Sequence, residues 1–167
     1  MEPPIPFDNP VDFKANEEQG IEAATLVFYP KSQIVTQADS ILVGSYIVFK
    51  EDSTEPFSGL HLKIEFPNEL IELDTIFPGQ FITDTSQSTP LFAYTYEDGS
   101  IIDIYAYFLG TTKLDLEGTG HLADLIFNPL TTGSDSIHYD LSASTIIDHL
   151  DREINVRGIR GAEIIIQ

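Results

Sequence analysis

Four histidines and a large excess of carboxylates are the side chains of this sequence with the chemistry to bind a metal, move a proton or recognise a partner. His61, Asp103 and His138 each sit in a stretch where apolar and polar residues alternate. Alternate residues of a strand point to opposite faces, so these three could meet on the polar side of one sheet. A His–His–Asp set on a rigid sheet can hold zinc. Yet no two histidines have close metal-ligand spacing, and a polar sheet face needs no metal to explain it. Cysteine is absent, which removes disulfides, thiolate ligands and Cys nucleophiles together. His149 stands in Asp148-His149-Leu150-Asp151, near Ser142 and Ser144 in sequence, but no strand–elbow–helix pattern surrounds those serines to frame a Ser–His–Asp reaction.

Paired carboxylates are inevitable in a chain with 27 Asp and Glu among 167 residues. Glycosidase chemistry would need two of them at a set separation across a cleft, which short-looped strands do not offer. Asp74, Asp84, Asp98, Asp115, Glu117, Asp148 and Asp151 fall in or beside loops, where oxygen-rich groups can hold calcium, but no EF-hand spacing accompanies them. The expectation is therefore a protein that is not an enzyme and carries no metal or cofactor of its own.

Charge narrows the partners. Only 8 Lys and Arg oppose the 27 acids, for a net charge of −19. Such a surface repels phosphate backbones and anionic membranes and attracts basic proteins, although it also serves solubility alone. No apolar run is long enough to span a bilayer. The opening MEPPIPFDNP has neither a basic n-region nor an apolar h-region. A hydrophobic fraction of 42% over this length fits one folded domain with a substantial core.

Short strands must position these groups. Residues 1–22 are rich in proline, hold no lasting period, and read as a linker or N-terminal arm; residues 23–167 read as the domain. Strands are expected at 25–29, 40–49, 60–66, 70–76, 91–96, 101–108, 120–130, 136–144 and 162–166. The stretch FSGLHLKIEFPNELIEL (57–73) shows the pattern most clearly. Leu60, Leu62, Ile64 and Phe66 fall on one side of it, and Gly59, His61, Lys63 and Glu65 on the other. In 101–108 the inward set is Ile102, Ile104, Ala106 and Phe108, leaving Ile101, Asp103, Tyr105 and Tyr107 outward. In 136–144 Ile137, Tyr139 and Leu141 point in, and His138, Asp140 and Ser142 out. Glu97-Asp98-Gly99-Ser100 is a hairpin turn, with Asp-Gly supplying positive φ. The helical candidates 68–73 and 145–150 are too short to convince. Nine short strands between Gly, Pro, Asn and Asp clusters indicate an all-β, nine-stranded jelly-roll β-sandwich.

Several stretches together resemble cohesin modules. They are DSILVGSYIVF (39–49) with FSGLHLKIEFPNELIEL (57–73), then GTGHLADLIF (118–127), and finally RGAEIII (160–166). Each is mostly core alternation and turn; their joint order, over roughly 24–167, carries the weight. His61 stands where the family usually has Asp or Asn, and Phe66-Pro67 shortens the usual Tyr-Asp-Pro. The resemblance implies a non-catalytic module that docks a dockerin, a small helical module folded around calcium, on one flat sheet face. That face is built from the third, fifth, sixth and eighth strands. Carried onto this chain it would present His61, Lys63, Glu65, Tyr96, Asp103, Tyr105, Tyr107, His138, Asp140 and Ser142. The resemblance further implies an extracellular or cell-surface module of a larger secreted scaffold, of the kind that organises polysaccharide degradation, monomeric when free. Two other readings stand beside it. One is a carbohydrate-binding sandwich using a Tyr stripe, although the chain lacks Trp. The other is a structural domain of a surface protein.

Overall fold

Alternation fixes which face of each strand is buried, and burial pairs the strands into two facing sheets. The computed structural model describes residues 13–18, 20, 24–48, 54–56, 58–83, 91–97, 99–107, 115–117, 119–148 and 150–167. The strands are β1 (Thr25–Tyr29), β2 (Ser32–Val35), β3 (Ile41–Val48), β4 (Thr54–Pro56), β5 (Gly59–Glu65), β6 (Ile71–Pro78) and β7 (Leu91–Glu97). They continue as β8 (Ile101–Tyr107), β9 (Asp115–Glu117), β10 (Thr119–Pro129), β11 (Gly133–Tyr139), β12 (Thr145–Ile147), β13 (Gly158–Arg160) and β14 (Ala162–Ile166). Among the described residues helix is limited to α1 (Phe13–Glu18), α2 (Gln80–Thr83) and a 3-10 turn at Leu141–Ala143.

One sheet of the sandwich runs β13-β1-β3-β10-β6, and the facing one β2-β14-β11-β5-β8-β7 with β12 also paired to β5; β4 and β9 form a separate two-stranded sheet. Leu60, Leu62 and Ile64 of β5 and Ile102, Ile104 and Ala106 of β8 face Leu26, Phe28, Ile41, Val43, Ile47, Leu125 and Phe127 across the sandwich, all buried in one cluster. Tyr139 fastens the layers together. Its ring stacks on Phe28 at 4.0 Å, and its hydroxyl donates to the Val27 carbonyl at 2.8 Å and meets Ser45 Oγ at 2.6 Å. Burial pushes the Tyr139 phenol far above its usual range, so it stays a neutral donor.

The nine expected strands all lie on observed ones, and the β-sandwich stands. Five further segments appear among the described residues: β2, β4, β9, β12 and β13. Neither candidate is helix: 68–70 are turn and 71–73 begin β6, and 145–147 form β12. Residues 136–144 do not form one strand. β11 ends at Tyr139, and Leu141, expected inward, lies half-buried in the 3-10 turn. Most of the arm expected at 1–22, residues 84–90 and 109–114, Asp98, Phe108 and His149 lie outside the described residues. Within the arm, residues 13–18 form α1.

Two crossovers between the sheets run side by side. β1 passes to β2 through Pro30 and Lys31, and β13 passes to β14 through Gly161. β1 pairs with β13, and β2 with β14, both parallel.

Candidate docking face

β5 sits at the middle of the larger sheet because its inner side is wholly aliphatic while its outer side carries His61, Lys63 and Glu65. The four strands expected to form the docking face lie side by side in the order β11-β5-β8-β7. Register then decides who shares the outer face, since directly paired residues of an antiparallel ladder point the same way. Across β5 and β8 the outward pairs are Gly59 with Tyr107, His61 with Tyr105, Lys63 with Asp103 and Glu65 with Ile101.

These pairs form a built surface. The His61 ring stacks on Tyr105 at 4.6 Å and 4° between planes, and His61 Nε2 lies 2.6 Å from Asp103 Oδ1. Asp103 faces outward, as expected, but its side chain is only 9% exposed against 29% for His61. It holds the imidazole in place from below rather than presenting itself. The Tyr107 ring lies across Gly59, whose missing side chain leaves that space.

β11 and β12 extend the face as one interrupted strand along the other edge of β5. His138 pairs with Glu65 and Thr145 with His61, and the 3-10 turn bulges between them. The interruption leaves no backbone group of Lys63 unmet. Its carbonyl accepts the Asp140 N–H at 2.8 Å, and its N–H donates to Ser144 Oγ at 3.0 Å. The turn presents Asp140 and Ser142, and Ser142 Oγ donates to Asp140 Oδ1 at 2.7 Å. That bond, with backbone N–H groups and the nearby Lys63 ammonium, holds the Asp140 carboxyl below its usual range.

Nine of the ten expected residues therefore lie on or just beneath one continuous surface: His61, Lys63, Glu65, Asp103, Tyr105, Tyr107, His138, Asp140 and Ser142. Tyr96 does not. It pairs with Ile102, so it shares the inner side of the sheet, yet at the edge strand it stays solvent-exposed, with its ring 5.8 Å from that of buried Phe66 and its hydroxyl donating to the Gly99 carbonyl. Tyr94 pairs with Ile104 and shares that side. The outward residues of β7 are instead Leu91, Ala93 and Thr95. His138 does not join His61 and Asp103. It lies at the Glu65 end of the face, against Gly161. Among the described residues, no group of three His, Asp or Glu side chains is placed to hold a metal ion.

A second constellation was not foreseen. On the outer face of the smaller sheet His121 stacks on Tyr46 at 4.7 Å and lies 2.8 Å from Asp124. In regular alternation residues three apart point to opposite faces. A bulge between His121 and Ala123 turns both His121 and Asp124 outward, while Leu122 and Ala123 are buried. Burial and the Asp124 carboxylate raise the Tyr46 phenol above its usual value.

No family model matches the sequence, and no curated protein matches it. Solved structures do. The chain is similar to a non-cellulosomal cohesin from the hyperthermophilic archaeon Archaeoglobus fulgidus, with 18% identity, a TM-score of 0.66, and 86% of this chain and 90% of that one covered. It is similar to the cohesin CaCohA2 from Clostridium acetobutylicum, with 16% identity, a TM-score of 0.66 and coverage of 86% and 91%. It is also similar to a structure of the type I cohesin–dockerin complex Coh-OlpC–Doc435 from Clostridium thermocellum, with 15% identity, a TM-score of 0.66 and coverage of 86% and 92%. At these identities the likeness is one of fold, and the fold is that of cohesins.

Proposed function

We propose that this chain is a non-catalytic docking module that binds a calcium-loaded dockerin on the outer face of β11-β5-β8-β7. The observation that carries the reading is the Tyr105–His61 stack, braced by Asp103, at the centre of a flat sheet face in a cohesin fold. Tyrosine and histidine held rigid this way lose little side-chain entropy on binding. Tyr105 and Tyr107 add amphipathic rings of the kind enriched at interfaces. The surrounding carboxylates, Glu65 and Asp140, favour a partner whose contacting helix carries basic side chains. The chain itself holds no cofactor in this reading; calcium belongs to the partner. The module acts within a larger secreted or surface scaffold and is monomeric when free. No described helix is long and apolar enough to cross a membrane.

The division of tyrosines weakens the carbohydrate reading. Tyr94 and Tyr96, solvent-exposed at the sheet edge, lie on the opposite side of the sheet from half-buried Tyr105 and Tyr107, so the four do not form one stripe.

Calorimetric titration against dockerins encoded beside this protein tests the proposal. Binding is expected with calcium and not with EDTA. Tyr105→Ala and His61→Ala should each weaken it by about 2 kcal/mol, roughly thirtyfold in Kd. Binding that neither substitution weakens would place the interface elsewhere.

A further inference from the structure

The docking face sorts its chemistry by row. Register lines up its outward residues across β7, β8, β5 and the broken β12/β11 edge, and the rows at the two ends differ. At one end Leu91, Tyr107, Gly59 and Ile147 stand side by side, uncharged throughout, before Glu153 closes the row beyond β12. Leu91 is 52% exposed. The half-buried Tyr107 ring lies across Gly59, where a Cβ would also come within 3.3 Å of Ile147. Glycine there lets the ring join its neighbours in one low apolar platform. The next row, Ala93, Tyr105, His61 and Thr145, holds the ring stack. The charges come after it. Thr95, Asp103 and Lys63 lead to the 3-10 turn with Asp140, and Ile101, Glu65 and His138 stand in the last row. From Gly59 to Glu65 the end rows lie about 20 Å apart along the strand.

We infer that this polarity seats the docked partner in one orientation, with an apolar side chain of its contacting helix on the Leu91–Tyr107–Ile147 platform and its basic side chains toward Glu65 and Asp140. The inference rests on the docking reading for its partner and adds which end of that partner goes where. The platform is continuous with the docking face, since Tyr107 and Tyr105, like Gly59 and His61, lie on the same side of the same strand. An apolar side chain that covers Leu91 gains burial there, whereas a charged one would lose its water with no opposite charge between Leu91 and Ile147. The far half is the reverse. Its exposed Glu65 and the Asp140 carboxylate attract a base. A partner turned end for end would set basic groups on the platform and its apolar group among carboxylates, so the reversed complex is disfavoured twice. Leu91, Gly59 and Ile147 thereby join the face as orienting positions.

Calorimetry of the intact chain with the dockerin that binds it tests the platform. Leu91→Ala, at an exposed position, should weaken binding about tenfold, by the same factor at low and high salt, with the melting temperature unchanged. Glu65→Gln should weaken it by a factor that shrinks as salt screens the charge. Double-mutant cycles then read the orientation. Alanine in place of one apolar dockerin residue should couple to Leu91→Ala and not to Glu65→Gln, and alanine in place of a dockerin Lys or Arg should do the converse. A dockerin residue coupled equally to both ends means two orientations and overturns the inference. Binding that Tyr105→Ala weakens and Leu91→Ala does not also sinks it, while the docking reading stands. If no dockerin binds, the docking reading falls and takes the orientation with it, and backbone amide NMR with two blocked amino acids still decides the platform. Acetyl-leucine amide should shift Gly59, Leu91, Tyr107 and Ile147, and acetyl-lysine amide Glu65, His138 and Asp140. The same shifts from both would show that the face has no apolar end.

Discussion

Tyr139 and Tyr105 belong to the same sheet and do opposite work. Tyr139 points inward and spends its hydroxyl on Val27 and Ser45 of the facing sheet, inside a core where an unmet polar group is costly. Tyr139→Phe keeps the ring stack on Phe28 and strands both partners. We expect it to lower stability by about 1–3 kcal/mol, read as a lower urea midpoint at an unchanged m-value. Tyr105 keeps its ring at the surface, so removing it should alter binding and leave the urea midpoint nearly in place. The inward and outward sets of β5 and β8 were legible because their alternation is clean. The family pattern places Tyr96 outward, and a two-residue Asp98-Gly99 turn agrees, setting it opposite Ile101, which reads as outward. The observed hairpin is one residue wider and pairs Glu97 with Ile101 and Tyr96 with Ile102. The burial of Asp103 could not be read from the chain, since it depends on a diagonal contact from His61 on another strand.

At the scale of elements, irregularities place side chains where simple periods do not. The bulge in β10 is one. Gly79, after β6, packs against the same place, and its N–H donates to the Leu122 carbonyl at 2.9 Å. A Cβ at residue 79 would collide with the backbone of His121 and Leu122, which has no rotamer to change. Gly79→Ala should therefore cost about 1–3 kcal/mol in thermal or chemical unfolding. Gly59→Ala should cost less, because the atom it meets belongs to the Tyr107 ring, which can swing outward. A Gly79→Ala protein as stable as the wild type would contradict the close approach of β6 and β10. The short strands β2, β12 and β13 escaped sequence reading because three or four residues are too few to show a period, and only the neighbouring long strands hold them in place.

At the scale of the molecule the dominant quantity is charge. With 27 acids on 167 residues, self-repulsion opposes the compact state and is relieved by screening. Raising salt from about 0.01 M to about 1 M shortens the Debye length roughly tenfold, from about 30 Å to about 3 Å, and should raise the melting temperature. A flat or falling melting temperature would mean that local pairs such as Arg152 with Asp148, 2.8 Å apart, outweigh the overall field. The two-sheet architecture was legible at this scale because strand spacing and turn residues carry it. The count of nine was not, because edge segments add strands that the core does not require.

The interruption between β11 and β12 has a further effect. Each flanking segment is registered on β5 independently, by His138 with Glu65 on one side and Thr145 with His61 on the other. In an unbroken strand, one inserted residue would turn every later side chain to the wrong face. Here residues 141–143 can lengthen, shorten or change while both flanks stay anchored. The turn that carries Ser142 beside Asp140 is thus a replaceable tooth on a fixed key blank. Copies of this module could diverge in the partner they accept without relearning how to fold.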